Sequence, residues 1–193
     1  MKARIILASA SPRRRELLDQ IGMTYEIWPV HIDESPRHNE APHDYVRRIA
    51  AEKSAVCHAQ VVHMGLPVLA ADTAVVLDGQ IMGKPKNKED AIMMLRRLSG
   101  RTHQVYSAVS LRGNEHGEAL SVTHVTFRAL SEREILAYWA TSEPADKAGS
   151  YAIQGLGSVF VQSIRGSFSG VVGLPLFETA ELLLQQGIQV LHE

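Results

Sequence analysis

Three consecutive arginines, Arg13-Arg14-Arg15, follow the small-residue turn Ser9-Ala10-Ser11-Pro12. Ser11 suits a helix N-cap and Pro12 the first helical position, which puts the arginines in a first turn. Backbone N–H groups and the positive end of the helix dipole converge there, so cations are unfavourable unless an anion neutralises them. Arginines splayed into solvent are the bland alternative. A bound polyanion, phosphate being the commonest, removes the conflict, and Ser9 and Ser11 then line the same turn.

Two acids could serve such a ligand. Asp72 ends the apolar run Leu66–Ala71. It is expected just beyond the carboxyl end of a strand, where ligands bind in α/β sheets. There it is a candidate metal ligand or general base, or else a plain turn residue. Glu34, beside Asp33 in a polar loop, is a second hard-oxygen donor; a solvated acidic loop is the competing explanation. One or two carboxylates plus substrate phosphates suffice for Mg²⁺. Lys84 is fixed between Gly83 and Pro85, whereas Lys53 lies within a helix, where lysine is usually solvated. Arg13, Arg14, Lys53 and Lys84 together match the charge of a triphosphate.

The elements that must hold these residues alternate early. Arg4–Ala8 reads as a strand, the arginine helix runs to Gly22, and Thr24–Val30 reads as a second strand. Pro42 opens a long helix in which Tyr45, Val46, Ile49, Ala50 and Val56 recur at helical spacing. Ala74–Leu77, Asp78-Gly79 and Gln80–Met82 form a hairpin signal, and Asn87 caps a helix that Gly100 closes. Thr102–Leu111 and Leu120–Phe127 are expected to pair around a turn at Arg112–Glu118. Ser131-Glu132-Arg133-Glu134 is a capping box, Val159–Ile164 and Val171–Val172 read as strands, and Pro175 starts a last helix. The pattern implies a mixed α/β (α+β) architecture with a cleft, folded as a single domain over residues 1–193.

Composition excludes several classes. The chain has 193 residues, 45% of them hydrophobic and 21% charged, which is globular. A net charge of −1 and 6% aromatic content disfavour nucleic-acid binding. One cysteine, Cys57, excludes an internal disulfide and CxxC metal sites. The nine histidines form no HExxH pair, and both the GxSxG elbow and the GxxxxGK[ST] phosphate loop are absent. With no signal-peptide core and no membrane-length apolar run, a cytoplasmic protein is expected.

The ordered set Ser9-Ala10-Ser11-Pro12-Arg13-Arg14, Ala71-Asp72-Thr73, Gly83-Lys84-Pro85, Leu98-Ser99-Gly100-Arg101-Thr102-His103, Asp146-Lys147-Ala148-Gly149-Ser150-Tyr151, Gln154-Gly155 and Val171-Val172-Gly173-Leu174-Pro175-Leu176 covers nearly the whole chain. In this it closely resembles the Maf family of nucleotide pyrophosphatases. The resemblance implies a two-lobed fold with a central mixed sheet, like that of the inosine triphosphate pyrophosphatases, usually as a homodimer. It implies hydrolysis of a nucleoside triphosphate to the monophosphate and pyrophosphate, dependent on a divalent cation, Mg²⁺ or Mn²⁺. Asp72, Lys53 and Lys84 would be catalytic, with Glu34 and Asp72 holding the metal. Ser9, Ser11, Arg13, Arg14, Thr73 and Gln154 would bind substrate. Thr73 and Gln154 resemble the dTTP/UTP branch, where a neutral amide can meet the acceptor–donor–acceptor edge of uracil or thymine. The rival readings are a nucleotide-binding regulator of cell division and septum formation with little turnover, and a nucleic-acid module. Retention of both Glu34 and Asp72 favours the enzyme.

Overall fold

The computed structural model describes residues 4–191; the expected domain limits at residues 1 and 193 lie outside the described residues. The elements in chain order are β1 Ile5–Leu7, α1 Pro12–Gln20, β2 Tyr25–Ile27, α2 Pro42–Val61, β3 Val68–Leu77, β4 Gln80–Met82, α3 Lys88–Leu98, β5 Thr102–Arg112, β6 His116–Phe127, α4 Glu132–Ala140, β7 Val161–Arg165, α5 Phe168–Val172 and α6 Leu176–Gln185. The strands form one sheet in the order β2-β1-β3-β5-β6-β7, with β4 paired to β3. β1 is parallel to β2 and β3, and β3, β5, β6 and β7 run antiparallel, so the sheet is mixed as expected.

Strand alternation sorts the core into two sides. Ile5, Leu7, Leu69, Ala71, Val75 and Leu77 pack in one cluster with Leu17 and Leu18 of α1, Leu95 of α3, Ile135 of α4 and Leu183 of α6. Ile6, Ala8, Val68 and Ala70 pack with Cys57 and Val61 of α2, while Ala74 and Val76 meet Val46 and Ala50 of the same helix. Helix α2 therefore covers the even-numbered residues of β3, and the odd-numbered ones face the other layer.

Local signals placed several boundaries. Asp78 and Gly79 both adopt positive φ, 53° and 75°, as a two-residue turn matched to strand twist requires. The Asn87 side chain accepts from Asp90 N, and Ser131 and Glu134 complete the capping box. Other expectations are corrected. β3 does not end before Asp72 but continues to Leu77, because β5 ladders it from Val68↔Arg112 to Val76↔Gln104. β2 spans three residues where seven were expected; it lies at the sheet edge beside a three-residue β1, and Pro29 cannot donate to a ladder. Val171 and Val172 belong to α5, whose start is capped by the Ser167 hydroxyl accepting from Gly170 N. The β5–β6 turn shrinks to residues 113–115 because both strands pair further than their apolar patterns suggested.

Candidate functional site

Asp72 is the one acid in an otherwise apolar or neutral strand, and its even position turns it toward α2. There Lys53 Nζ lies 2.9 Å from Asp72 Oδ1 and 2.8 Å from Glu34 Oε1. Lys53 and Asp72 are 9% and 7% exposed, so this is a nearly buried ion pair; the Glu34 side chain remains 53% exposed at its mouth. Burial raises the Asp72 carboxyl above the ordinary carboxylate range, and the Lys53 and Arg14 cations pull against that rise. The same two acids help push the Tyr45 phenol, half-buried, up to about 12, although burial is the larger cause.

Lys53 is thus buried and ion-paired, against the usual solvation of a lysine on a helix. The buried residues of α2 are Val46, Ile49, Ala50, Lys53, Ser54, Cys57 and Val61, a helical stripe of which Lys53 is a regular member. That spacing was a legible signal: a lysine on the apolar stripe of a helix needs an anion across from it.

The Glu34 loop has no regular structure, yet it is tied to α2 along one helical row. Tyr45 Oη donates to Glu34 O at 3.0 Å, and Arg48 Nη2 donates to Ser35 O at 3.1 Å. Arg48 also forms a two-pronged bridge to Glu40, 2.5 and 2.7 Å, which holds the Glu40 carboxyl down at about 2. Asp33 takes no part in the acid pair; its Oδ1 accepts from Ser35 N at 2.9 Å. The sequence reading missed Tyr45 and Arg48 as supports.

On the opposite side of β3, Thr73 meets neutral partners. Its Oγ1 lies 2.9 Å from Ser107 Oγ, the residue paired with it on β5, and 3.5 Å from Gly173 O. Ser107 gives its single hydroxyl proton to Gly170 O at 2.5 Å, so Thr73 is the donor in the pair. Arg14 reaches the same segment from α1, its Nε donating to Gly173 O at 2.9 Å and its Nη1 to Ser9 Oγ at 3.1 Å. Ser9 Oγ also accepts from Ser11 N at 3.2 Å. Ser11 occupies the N-cap position without a side-chain cap bond, against expectation, so Ser9 does the local bonding and the α1 terminus is left without a side-chain cap. Ser107 and Gly170 had no visible signal beyond lying in small-residue stretches, and Gly173 stood out only as part of the Val171–Leu176 motif.

The remaining candidates are more loosely placed. Arg13 Nε is buried without a hydrogen-bond partner, and its charge is felt at both Arg14 and Asp146. Arg15 lines a separate hollow with Pro12, Glu16, Asp19, Tyr25 and Ile27. Lys84 and Gln154 are exposed, and neither side chain makes a hydrogen bond or ion pair among the described residues. Their segments are nonetheless anchored: Gly83 O accepts from Gly149 N at 3.1 Å, and the backbone on both sides of Gln154 is held by side chains. The structure thus joins Lys53, Asp72 and Glu34 directly and links Ser9, Arg14 and Thr73 through shared partners. It leaves Lys84 and Gln154 apart from both groups.

Residues 4–186 match the family described as Maf-like protein. The chain is 59% identical over 186 residues to the dTTP/UTP pyrophosphatase of Methylococcus capsulatus, covering 96% of this chain and 92% of that one. It is 52% identical to the dTTP/UTP pyrophosphatase of Escherichia coli strain UTI89 (93% and 91% covered). It is 48% identical to the nucleoside triphosphate pyrophosphatase of Haemophilus ducreyi (99% and 99%). Among solved structures it is similar to the nucleoside-triphosphatase / dITP/XTP pyrophosphatase of Mycobacterium abscessus, at 16% identity and a TM-score of 0.43 over 94% of this chain and 93% of that one. The family match and the near full-length identities agree with the ordered motifs, and the chain belongs to the Maf family.

Proposed function

We propose that this protein hydrolyses nucleoside triphosphates, dTTP and UTP foremost, to the monophosphate and pyrophosphate. The observation that carries the reading is the Lys53 ammonium held between nearly buried Asp72 and solvent-open Glu34, on a strand that also carries Thr73. The activities for which the relatives are named supply the substrate class.

Water attacks the α-phosphorus, the bond from that phosphorus to the α–β bridging oxygen breaks, and pyrophosphate leaves. Asp72 accepts the water's proton, a role suited to a carboxyl raised by burial. Arg13, Arg14, Lys53 and Lys84 neutralise the triphosphate, and the uncapped start of α1 adds backbone donors. Asp72 and Glu34, which share Lys53 Nζ as their contact, are hard oxygen donors of the kind that would hold Mg²⁺ or Mn²⁺ together with phosphate and water. No larger group of metal-ligating side chains exists among the described residues. When bound, the cation supplies Lewis-acid stabilisation of phosphate charge. Thr73 acts through its hydroxyl bond to Ser107 beside Gly173 O, the carbonyl to which Arg14 binds, and Gln154 reads the base edge. The reading includes a homodimer in the cytoplasm, with sedimentation and cell fractionation as its checks.

The test is pyrophosphate release from UTP, dTTP, CTP and the purine triphosphates, with and without Mg²⁺ and Mn²⁺. Release from UTP and dTTP only with metal is expected. Tight nucleotide binding without release would favour the cell-division regulator.

A further inference from the structure

The exposed Gln154 side chain makes no hydrogen bond or ion pair among the described residues, yet the backbone on both sides of it is held by side chains. Glu143, at the start of the short 3₁₀ turn Glu143–Asp146, spends its carboxylate on the backbone beyond Gln154. Its Oε2 accepts from Leu156 N at 2.9 Å and its Oε1 from Gly157 N at 3.0 Å. The Tyr138 hydroxyl of α4 donates to Glu143 Oε1 at 2.7 Å and accepts from Ala152 N at 3.0 Å, on the near side of Gln154. Tyr151 adds a third tie, its hydroxyl lying 2.8 Å from His103 Nε2 on β5. Gly155 passes so close to the Glu143 carboxylate that a Cβ there would collide with Oε2, which explains a glycine whose φ of −113° any residue could adopt.

Three acceptor or donor groups therefore bracket one exposed amide. Ile153 anchors the near side in the core, but from Gln154 to Leu156 no side chain is buried; such a segment would sample many orientations, and amide recognition of a base edge needs one. We propose that Tyr138 and Glu143 are positioning residues for substrate selection. Their hydrogen bonds to Ala152, Leu156 and Gly157 fix the backbone from which Gln154 meets the pyrimidine edge. The inference rests on the reading of Gln154 as the base reader. Glu143 acts through Tyr138 and the backbone amides of Leu156 and Gly157, and bonds neither Asp72 of β3 nor Glu34.

The experiment compares kcat/KM for UTP and CTP in Glu143→Gln, Tyr138→Phe, Gly155→Ala and Gln154→Ala, each checked for native circular dichroism. Hydrogen exchange at the Leu156 and Gly157 amides is followed alongside. Glu143→Gln turns one acceptor oxygen into a donor facing an N–H, and Tyr138→Phe keeps the ring against Phe160, 5.0 Å away, while losing the hydroxyl. The UTP:CTP ratio is expected to fall roughly tenfold in Glu143→Gln and less in Tyr138→Phe. Exchange should quicken at both amides, and Glu143→Gln should add nothing in a Gln154→Ala background. An equal loss on UTP and CTP, or amides that stay protected in Glu143→Gln, overturns the proposal while leaving Gln154 as reader. An unchanged ratio in Gln154→Ala removes that reader, and the proposal with it. Should Glu143→Gln not fold, the Tyr138→Phe and Gly155→Ala ratios decide by the same criteria.

Discussion

Asp72 and Thr73 are neighbours in sequence but occupy chemically different worlds. On the α2 side of β3 the polar groups are ions in contact: Lys53 with Asp72 and Glu34. On the other side the strand meets hydroxyls donating in line, Thr73 to Ser107 to Gly170 O, with buried His103 further along β5 and Arg14 as the one cation that reaches this segment, bound to Gly173 O. A strand is the cheapest way to build such a boundary, since consecutive side chains diverge while their backbones stay rigidly laddered. The carboxylates are thereby kept on one side, away from the other, larger core.

The difference can be broken most severely at the acid. Asp72→Asn should lower kcat for UTP by roughly two orders of magnitude or more with the fold intact, in line with a lost general base or metal ligand; near-native kcat would show that the charged side is structural. Lys53→Met leaves Asp72 buried without its cation and should destabilise the protein by about 3 kcal/mol. Lys53→Met combined with Asp72→Leu should recover most of that stability but no activity. Denaturant titration of the three proteins makes the comparison, and equal stabilities would mean that the pair is effectively solvated.

The neutral side is tested by pH. Burial lowers the His103 imidazole from its ordinary value to about 4, so between about 6.5 and 4 the unfolded chain binds a proton that the folded one refuses. Its stability contribution is full above about pH 6.5 and is lost as pH falls toward 4, with a slope of at most ~1.4 kcal/mol per pH unit. His103→Gln, which still offers Tyr151 a partner, should flatten that part of the Tm–pH curve relative to the native protein. Parallel curves would place His103 in contact with water. The smallest effect is expected at Thr73→Val, which deletes the donor to Ser107 at a cost of about 1 kcal/mol and should raise KM several-fold with kcat little changed. A kcat loss matching that of Asp72→Asn would erase the distinction between the two sides.

Much of this was legible because short-range rules governed it. Asp78-Gly79, Asn87 and the Ser131–Glu134 box each act over four residues or fewer, and the ordered motifs from Ser9 to Leu176 carried the family. The Arg13–Arg15 conflict with the helix dipole was equally local. Long-range decisions were not legible. Whether Asp72 ends a strand or sits inside one depended on β5, thirty-odd residues away, continuing to pair past it. Lys53 became a buried ion only because its α2 stripe was laid over the even positions of β3. Gly173 O turned into a partner of Arg14 and a neighbour of Thr73 through contacts spanning much of the chain. Residue types and local spacing thus determined which chemistry was available, since caps, turns and charge reside in individual side chains. Only tertiary structure decided which of those groups meet, because side-chain direction on a strand and burial on a helix acquire consequences when another element packs against them.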